Sequence, residues 1–223
     1  ELTPRDENGE YNFEDIEALD IKLFNENLLD LFNGQKIILP KFSFESGKRY
    51  YNNESLQLSE NQLVLVEGIH ALNPRLTEMI EPEKKFKVYV SALTQMGIDN
   101  HNRIPTNDNR LLRRMVRDYK YRGYSASDTL KRWPSVRAGE EKYIFPFQEE
   151  ADVMFNSALL FELGVIKNYA VPLLEEIQEN LEEYSESTRL LKFLSYFKSI
   201  EPKEIPPTSI LREFLEGSSF DYN

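Results

Sequence analysis

The sequence predicts an α/β fold: a doubly wound parallel sheet with a helical C-terminal extension. Gln62–Val66 reads QLVLV, a short continuous apolar run of the kind a central parallel strand needs, since such a strand is covered on both faces. Phe86–Val90 and Asp152–Phe155 read as two further strands. Apolar residues at helical spacing fill much of the rest, and strands alternating with helices are the pattern of a parallel α/β sheet.

Taken in order, residues 1–12 are polar and turn-rich. From about Asp15 to Phe32, Ile16, Leu19 and Leu23 open a helical period, and Gly34 stands where a C-terminal cap belongs. Lys36–Leu39 reads as a short buried strand stopped by Pro40, and Lys48–Leu58 as a small hairpin turning at Asn52-Asn53. Pro74 is placed to begin a short helix through Ile80. Gly97–Asn109 is a polar loop that leads into an arginine-rich helix. From Ser127 a helix runs toward Arg137, interrupted near Pro134. Val171–Tyr184 and Thr188–Phe197 are helical, and Pro202, Pro206 and Pro207 precede a last short helix near Ile210–Leu215. This divides the chain into an α/β domain over residues 1–184 and an extension over 185–223. The extension either packs back on the domain or serves as a partner surface, as in a homo-oligomer.

At 223 residues the chain is long enough for one good-sized domain. It has no run of eighteen apolar residues, and Glu1–Asp20 lacks the cationic start and apolar core of a secretory signal. No cysteines are present, which excludes disulfides and thiolate metal sites and suits a reducing cytoplasm. Two histidines are too few for a multi-histidine metal centre. A net charge of −11 and a pI near 4.9 argue against direct nucleic-acid binding. The opening ELTPRDENGEYNFED has no initiator methionine and the composition of a loop, which reads as a piece of a longer protein.

Against that acidic background, Asn109–Tyr124 gathers Arg110, Arg113, Arg114, Arg117 and Arg122. As a helix, Leu112, Met115, Val116 and Tyr119 form a buried stripe, and Arg110, Arg114 and Arg117 stack along another face. Arginine offers a planar, multi-donor grip on phosphate oxygens, so such a row suits a polyphosphate. It equally suits a solvated charged face with Asp108 and Asp118 as local counter-ions. Glu67-Gly68 follows the QLVLV run. A carboxylate at the carboxyl end of a central strand stands where open α/β sheets bind ligands, and there it holds Mg²⁺ directly or through water. The same acid is also a common loop anion. The 223 residues contain no G-x-x-x-x-G-K-[ST] phosphate loop; the one Gly-Lys pair, Gly47-Lys48, has Phe42 and Arg49 at the flanking positions.

Together these residues resemble the uridine kinase and phosphoribulokinase family of P-loop kinases, over roughly Tyr11–Pro172. The likeness extends to bacterial nucleoside-kinase-like proteins that carry an upstream segment related to threonyl-tRNA synthetase. YNFEDIEALD (Tyr11–Asp20) resembles the family's acceptor block NFDHPDAFD, and LVLVEGIHAL (Leu63–Leu72) its VVLFEGIL strand. RLLRRMVRDYKYRG (Arg110–Gly123), followed by EEADVMF (Glu149–Phe155), resembles its RLxRRxxRDxxxRG lid and next strand.

The resemblance implies a P-loop NTPase-like fold that lacks its N-terminal phosphate-loop part, with ATP and Mg²⁺ as cofactors and a nucleoside-like hydroxyl as acceptor. It implies that Glu14 binds the ribose hydroxyls beside Phe13, and that Arg114 helps hold the ribose. Arg117 and Arg122 then neutralise the transferring phosphates, and Glu67 assists Mg²⁺. The family's phosphate loop and its catalytic aspartate precede the acceptor block, so this piece alone is expected to be inactive or nearly so.

The sequence also departs from the family. Phe42 and Ser43 replace a tyrosine and an aspartate, Gly47 a pyrimidine-reading histidine, and Tyr124 a lid arginine. Losing those polar groups removes the hydrogen bonds that specify uracil or cytosine. A non-catalytic nucleotide-binding module attached to an RNA-related upstream domain is the alternative. Without the resemblance, Phe13 and Phe42 read as core aromatics, Glu14 as a first-turn acid, and His70 and His101 as ordinary polar residues.

Overall fold

In the computed structural model, which describes residues 3–5, 9, 11–12, 15–43 and 48–220, two acidic caps divide the first expected helix. Asp15 caps a 3-10 turn, Ile16–Ala18, and Asp20 then caps α1 (Ile21–Phe32) by accepting from the Leu23 N–H at 3.1 Å. The end of α1 is as expected. Gly34, at φ +72°, donates to the Leu31 carbonyl while Gln35 donates to Asp30, at 3.0 and 2.8 Å. That left-handed closure is open to glycine at little cost. Asn25, fully buried on α1, donates to the Leu76 carbonyl at 3.0 Å and accepts from the Met79 N–H at 3.1 Å. It thereby fastens the 3-10 turn Pro74–Thr77 to the helix.

The chain divides into two compact units, residues 1–89 with 139–153 and residues 90–138 with 154–223. In the first unit, β1 (Ile37–Ser43) pairs antiparallel with β2 (Lys48–Leu56). The hairpin is therefore longer than expected, and its connection lies outside the described residues. Pro40 does not stop β1; it pairs with Tyr51. The step from Ile38 to Pro40 covers two residues, while the opposite step from Ser55 to Tyr51 covers four. Asn52-Asn53 thus marks a bulge and not the turn. Bulges are where strands tolerate a proline that cannot donate to the ladder.

Gln62–Val66, expected as a central parallel strand, joins no ladder among the described residues, and Leu63 and Leu65 are 95 % and 91 % exposed. The run is apolar enough for burial on both faces, yet no described strand lies beside it. Parallel pairing is present between β3 (Val88–Ser91) and β4 (Val153–Asn156). The Asp152 N–H donates to Lys87 O at 3.0 Å and the Ser157 N–H to Ser91 O at 2.8 Å, so both strands advance together.

The second unit is built on α2 (Thr106–Arg122), α4 (Glu162–Glu175) and α5 (Tyr184–Ser195). Leu112, Met115 and Val116 of α2 are buried as expected, but Tyr119 is half exposed and Leu111 is buried instead. The buried stripe is shifted by the hydrophobic neighbours it meets. Leu190 and Leu194 of α5, with Leu211 and Leu215 beyond it, are buried in the same cluster. Residues after 185 therefore complete the core around α2.

Two prolines mislead the sequence reading. α3 (Ala126–Tyr143) runs through Pro134 without interruption, with the proline on an exposed face. α4 starts at Glu162 and not near Val171, and it carries Pro172 in its interior. Burial of Leu163, Ile166, Ala170, Leu173 and Leu174 outweighs these weak propensities. Gly164 is needed for close approach: a Cβ there would lie 2.7 Å from the Lys198 carbonyl oxygen and 2.9 Å from Ile200 Cδ1. Gly164→Ala is accordingly expected to destabilise the protein by about 1–3 kcal/mol, read as a lowered denaturant midpoint.

Candidate active site

Arg114, Asp118 and Arg122 stand one helical turn apart on α2, with Arg117 beside them. The Asp118 carboxylate is almost wholly buried and collects all three guanidiniums. Arg114 Nε and Arg122 Nη1 lie 3.0 Å from its oxygens, and Arg117 Nε lies 3.7 Å away. The helix ends here because Gly123 adopts φ +68°, its N–H and that of Tyr124 both turning back to the Asp118 carbonyl. A buried carboxylate requires such partners, and it holds the three arginines to one face.

The face retains anion-binding capacity. Arg117 Nη1 meets Glu213 at 3.5 Å, which leaves three cations against two carboxylates. Arg117 Nε is buried without a hydrogen-bond partner among the described residues. Arg114 Nε is likewise off the hydrogen-bond direction, despite its short distance to Asp118. Burial, then Arg122, draws the Arg117 pKa below its ordinary value, while Asp118 and Glu213 oppose the shift. A partly desolvated guanidinium with unused donors is well suited to phosphate oxygens.

Arg113, one of the same sequence cluster, is excluded from this face. It is buried, donating to Ser157 O at 2.7 Å and to Glu162, with Phe214 under its guanidinium at 5.2 Å. Arg189 of α5 forks onto Asp108 at 2.7 and 2.8 Å, so Asp108 is engaged by the C-terminal part of the chain. Arg110 is half-buried on α2.

The other predicted residues belong to the first unit. Phe42 lies on β1 opposite Arg49, partly exposed. Glu67 is exposed at the end of the unpaired QLVLV segment, next to Gly68 at φ +147°. Phe13 and Glu14 lie outside the described residues. Their flanking neighbours are described: Asn12 donates to the Tyr143 hydroxyl at 3.4 Å, and that hydroxyl donates to Asp15 Oδ2 at 3.2 Å. His70, buried, sets its ring edge-on to Tyr143 with centroids 5.2 Å apart. Sequence reasoning missed Tyr143 and Glu213, since neither carries a local signal. Asp118 was legible from its spacing to Arg114 and Arg122.

The Asp15 carboxylate is held below its ordinary 3.8, first by the Glu17 N–H and then, against desolvation, by the Tyr143 hydroxyl, Lys142 and His70. A depressed carboxylate stabilises fully above its unfolded value, and the contribution disappears as pH falls through the folded one. The stability difference between wild type and Asp15→Asn is therefore expected to be present at neutral pH. It is expected to shrink as the pH drops below 3.8, which paired denaturant melts at both ends of that range would show.

The α/β fold with parallel strand pairing is that of the P-loop NTPase-like kinases. More narrowly, the chain belongs to the phosphoribulokinase / uridine kinase family, which it matches over residues 2–160. It is similar to a uridine kinase of Staphylococcus haemolyticus (strain JCSC1435), 30 % identical over 151 residues. It is also similar to uridine kinases of Staphylococcus aureus strains JH9 and Newman, each 31 % identical over 151 residues. In each case the match covers 67 % of this chain and 64 % of the relative. Kinases of this family use ATP and Mg²⁺ in general. No helix among the described residues is long and apolar enough to cross a membrane.

Proposed function

We propose that the full-length protein transfers the γ-phosphoryl group of ATP to a hydroxyl of a nucleoside-like acceptor. The observation that carries this reading is the convergence of Arg114, Arg117 and Arg122 on buried Asp118. Phosphoryl transfer asks a protein chiefly for positioning and for neutralisation of spreading negative charge. Arg117 and Arg122 supply that charge, with Asp118 fixing their geometry. Resemblance to the family supports a part for Arg114 in holding the acceptor's ribose, and for Phe13, Glu14 and Phe42 in binding the nucleoside.

The residues present fit Mg²⁺ as this family uses it. Among the described residues no three His, Cys, Asp or Glu side chains cluster into a closed metal cage. Mg²⁺ bound together with phosphates needs only one or two carboxylates, and Glu67 is the candidate. When bound, Mg·ATP would bring the transferable phosphoryl group, and the metal would supply positive charge against its developing negative charge. The 223 residues contain no G-x-x-x-x-G-K-[ST] pattern, so by themselves they are expected to turn over little or nothing. The second reading is a nucleotide-binding module without phosphoryl transfer, which an upstream segment lacking Gly-Lys-Ser/Thr or the catalytic aspartate would favour.

The test is phosphate transfer from Mg·ATP to a panel of nucleosides by the full-length protein. Transfer to one of them supports the kinase reading and names the acceptor. Silence across the panel with ATP still bound favours the binding module.

A further inference from the structure

We propose that Glu213 is a tethered competitor for phosphate on the arginine face: its carboxylate pairs with Arg117 and gives way to the polyphosphate of Mg·ATP. The inference rests on the reading above that Arg117 meets the phosphates. It adds a residue from beyond the family match, which ends at residue 160. Glu213 Oε1 lies 3.5 Å from Arg117 Nη1, while Asp118 lies 3.7 Å from Nε of the same guanidinium.

The two carboxylates differ in what it costs to move them. The Asp118 side chain is 2 % exposed and shared among Arg114, Arg117 and Arg122, which fixes it. The Glu213 side chain is 37 % exposed and pairs with Arg117 at the longer end of ion-pair range. A pair so open to water is worth little, and its acid can turn into solvent at small cost. With Glu213 in place, three guanidiniums face two carboxylates; with it turned away, they face one. An anion arriving at Arg117 therefore displaces Glu213 or meets its repulsion.

The C-terminal segment holds the acid at that spot. Ile210–Glu213 is a 3-10 turn capped by Ser209, which accepts from the Leu211 N–H at 3.3 Å. Leu211 and Leu215, on either side of Glu213, are fully buried in the core around α2. Arg212 donates to Pro202 O at 2.9 Å and to Ile205 O at 2.7 Å, and the Tyr121 hydroxyl of α2 donates to Leu215 O at 2.7 Å. The backbone around Glu213 is thus pinned, and the freedom left to the carboxylate is rotation of its own side chain.

Glu213→Gln keeps the shape and removes the charge. In the full-length protein it is expected to tighten Mg·ATP binding about threefold to fivefold, the upper scale of a partly exposed ion pair. Isothermal titration calorimetry reads this as Kd. Glu216→Gln removes the same charge from the same segment, but from Lys120, and should leave Kd unchanged. On an Arg117→Ala background, Glu213→Gln should lose most of its effect, because the pair it breaks is already gone. A merely structural role would lower the denaturant midpoint without tightening the nucleotide. Glu213→Ala is the second variant should the glutamine variant fold poorly, with the same tightening expected. Unchanged or weakened Mg·ATP binding in a folded variant overturns the proposal, and the phosphotransfer reading stands if Arg117→Ala still slows transfer. Tightened binding in a protein that transfers no phosphate supports the proposal and overturns that reading in favour of the binding module.

Discussion

Arg117→Ala is expected to lower kcat for phosphate transfer by about three orders of magnitude in the full-length protein, the lower part of the range for an arginine that stabilises a transferring phosphoryl group. Arg117 is a largely desolvated guanidinium on its face. Among the described residues its Nε is buried without a hydrogen-bond partner, and its ion pairs are with Asp118 at 3.7 Å and Glu213 at 3.5 Å. Those long contacts leave its donors available for phosphate oxygens. Arg117→Lys keeps the charge and loses the fork, so an intermediate loss is expected. The measurement is kcat at saturating Mg·ATP beside a denaturant melt. Turnover within tenfold of wild type, in a variant as stable as the parent, would place the phosphate grip elsewhere.

Glu162→Ala is expected to destabilise the second unit by about 3–5 kcal/mol, the cost of leaving a buried charge without its partner. Glu162 and Asn109 are at most 1 % exposed and Arg113 is 6 % exposed. Glu162 accepts from both of them, and Arg113 also holds Ser157. Truncation strands the Arg113 guanidinium over Phe214 without its carboxylate, leaving it only its hydrogen bonds to Ser157. Glu162→Gln, which retains an oxygen for Asn109, is expected to lose less. Urea unfolding followed by a probe in α2 or α4 would measure both. A loss below about 1 kcal/mol would mean that water reaches the pair, since a solvated ion pair is worth no more than that.

These two arginines show how far the sequence reaches. Arg113 and Arg117 stand four residues apart in one cluster and read alike, each a cation on a helix. Only the packing of α4 separates them, by bringing Glu162 to one and leaving the other on a face with spare donors. The same holds for the acceptor segment. Asn12 and Asp15 stand close in the sequence, while Tyr143, which bonds both, and His70, packed against Tyr143, come from distant parts of the chain.

By itself the sequence determined the α/β class, the arginine helix with Asp118 as a local counter-ion, and the capping at Gly34. Each depends on a period, a cap or a left-handed turn, properties encoded within a few residues. It misjudged the prolines at 40 and 134, which local propensity marks as breaks and which a bulge and an exposed helix face absorb. Tertiary structure alone decided that Arg113 is a core residue, that Glu213 meets Arg117, and that the last helices complete the core around α2. Each of those depends on which distant groups meet, and desolvation makes such meetings count while leaving no mark on the local pattern.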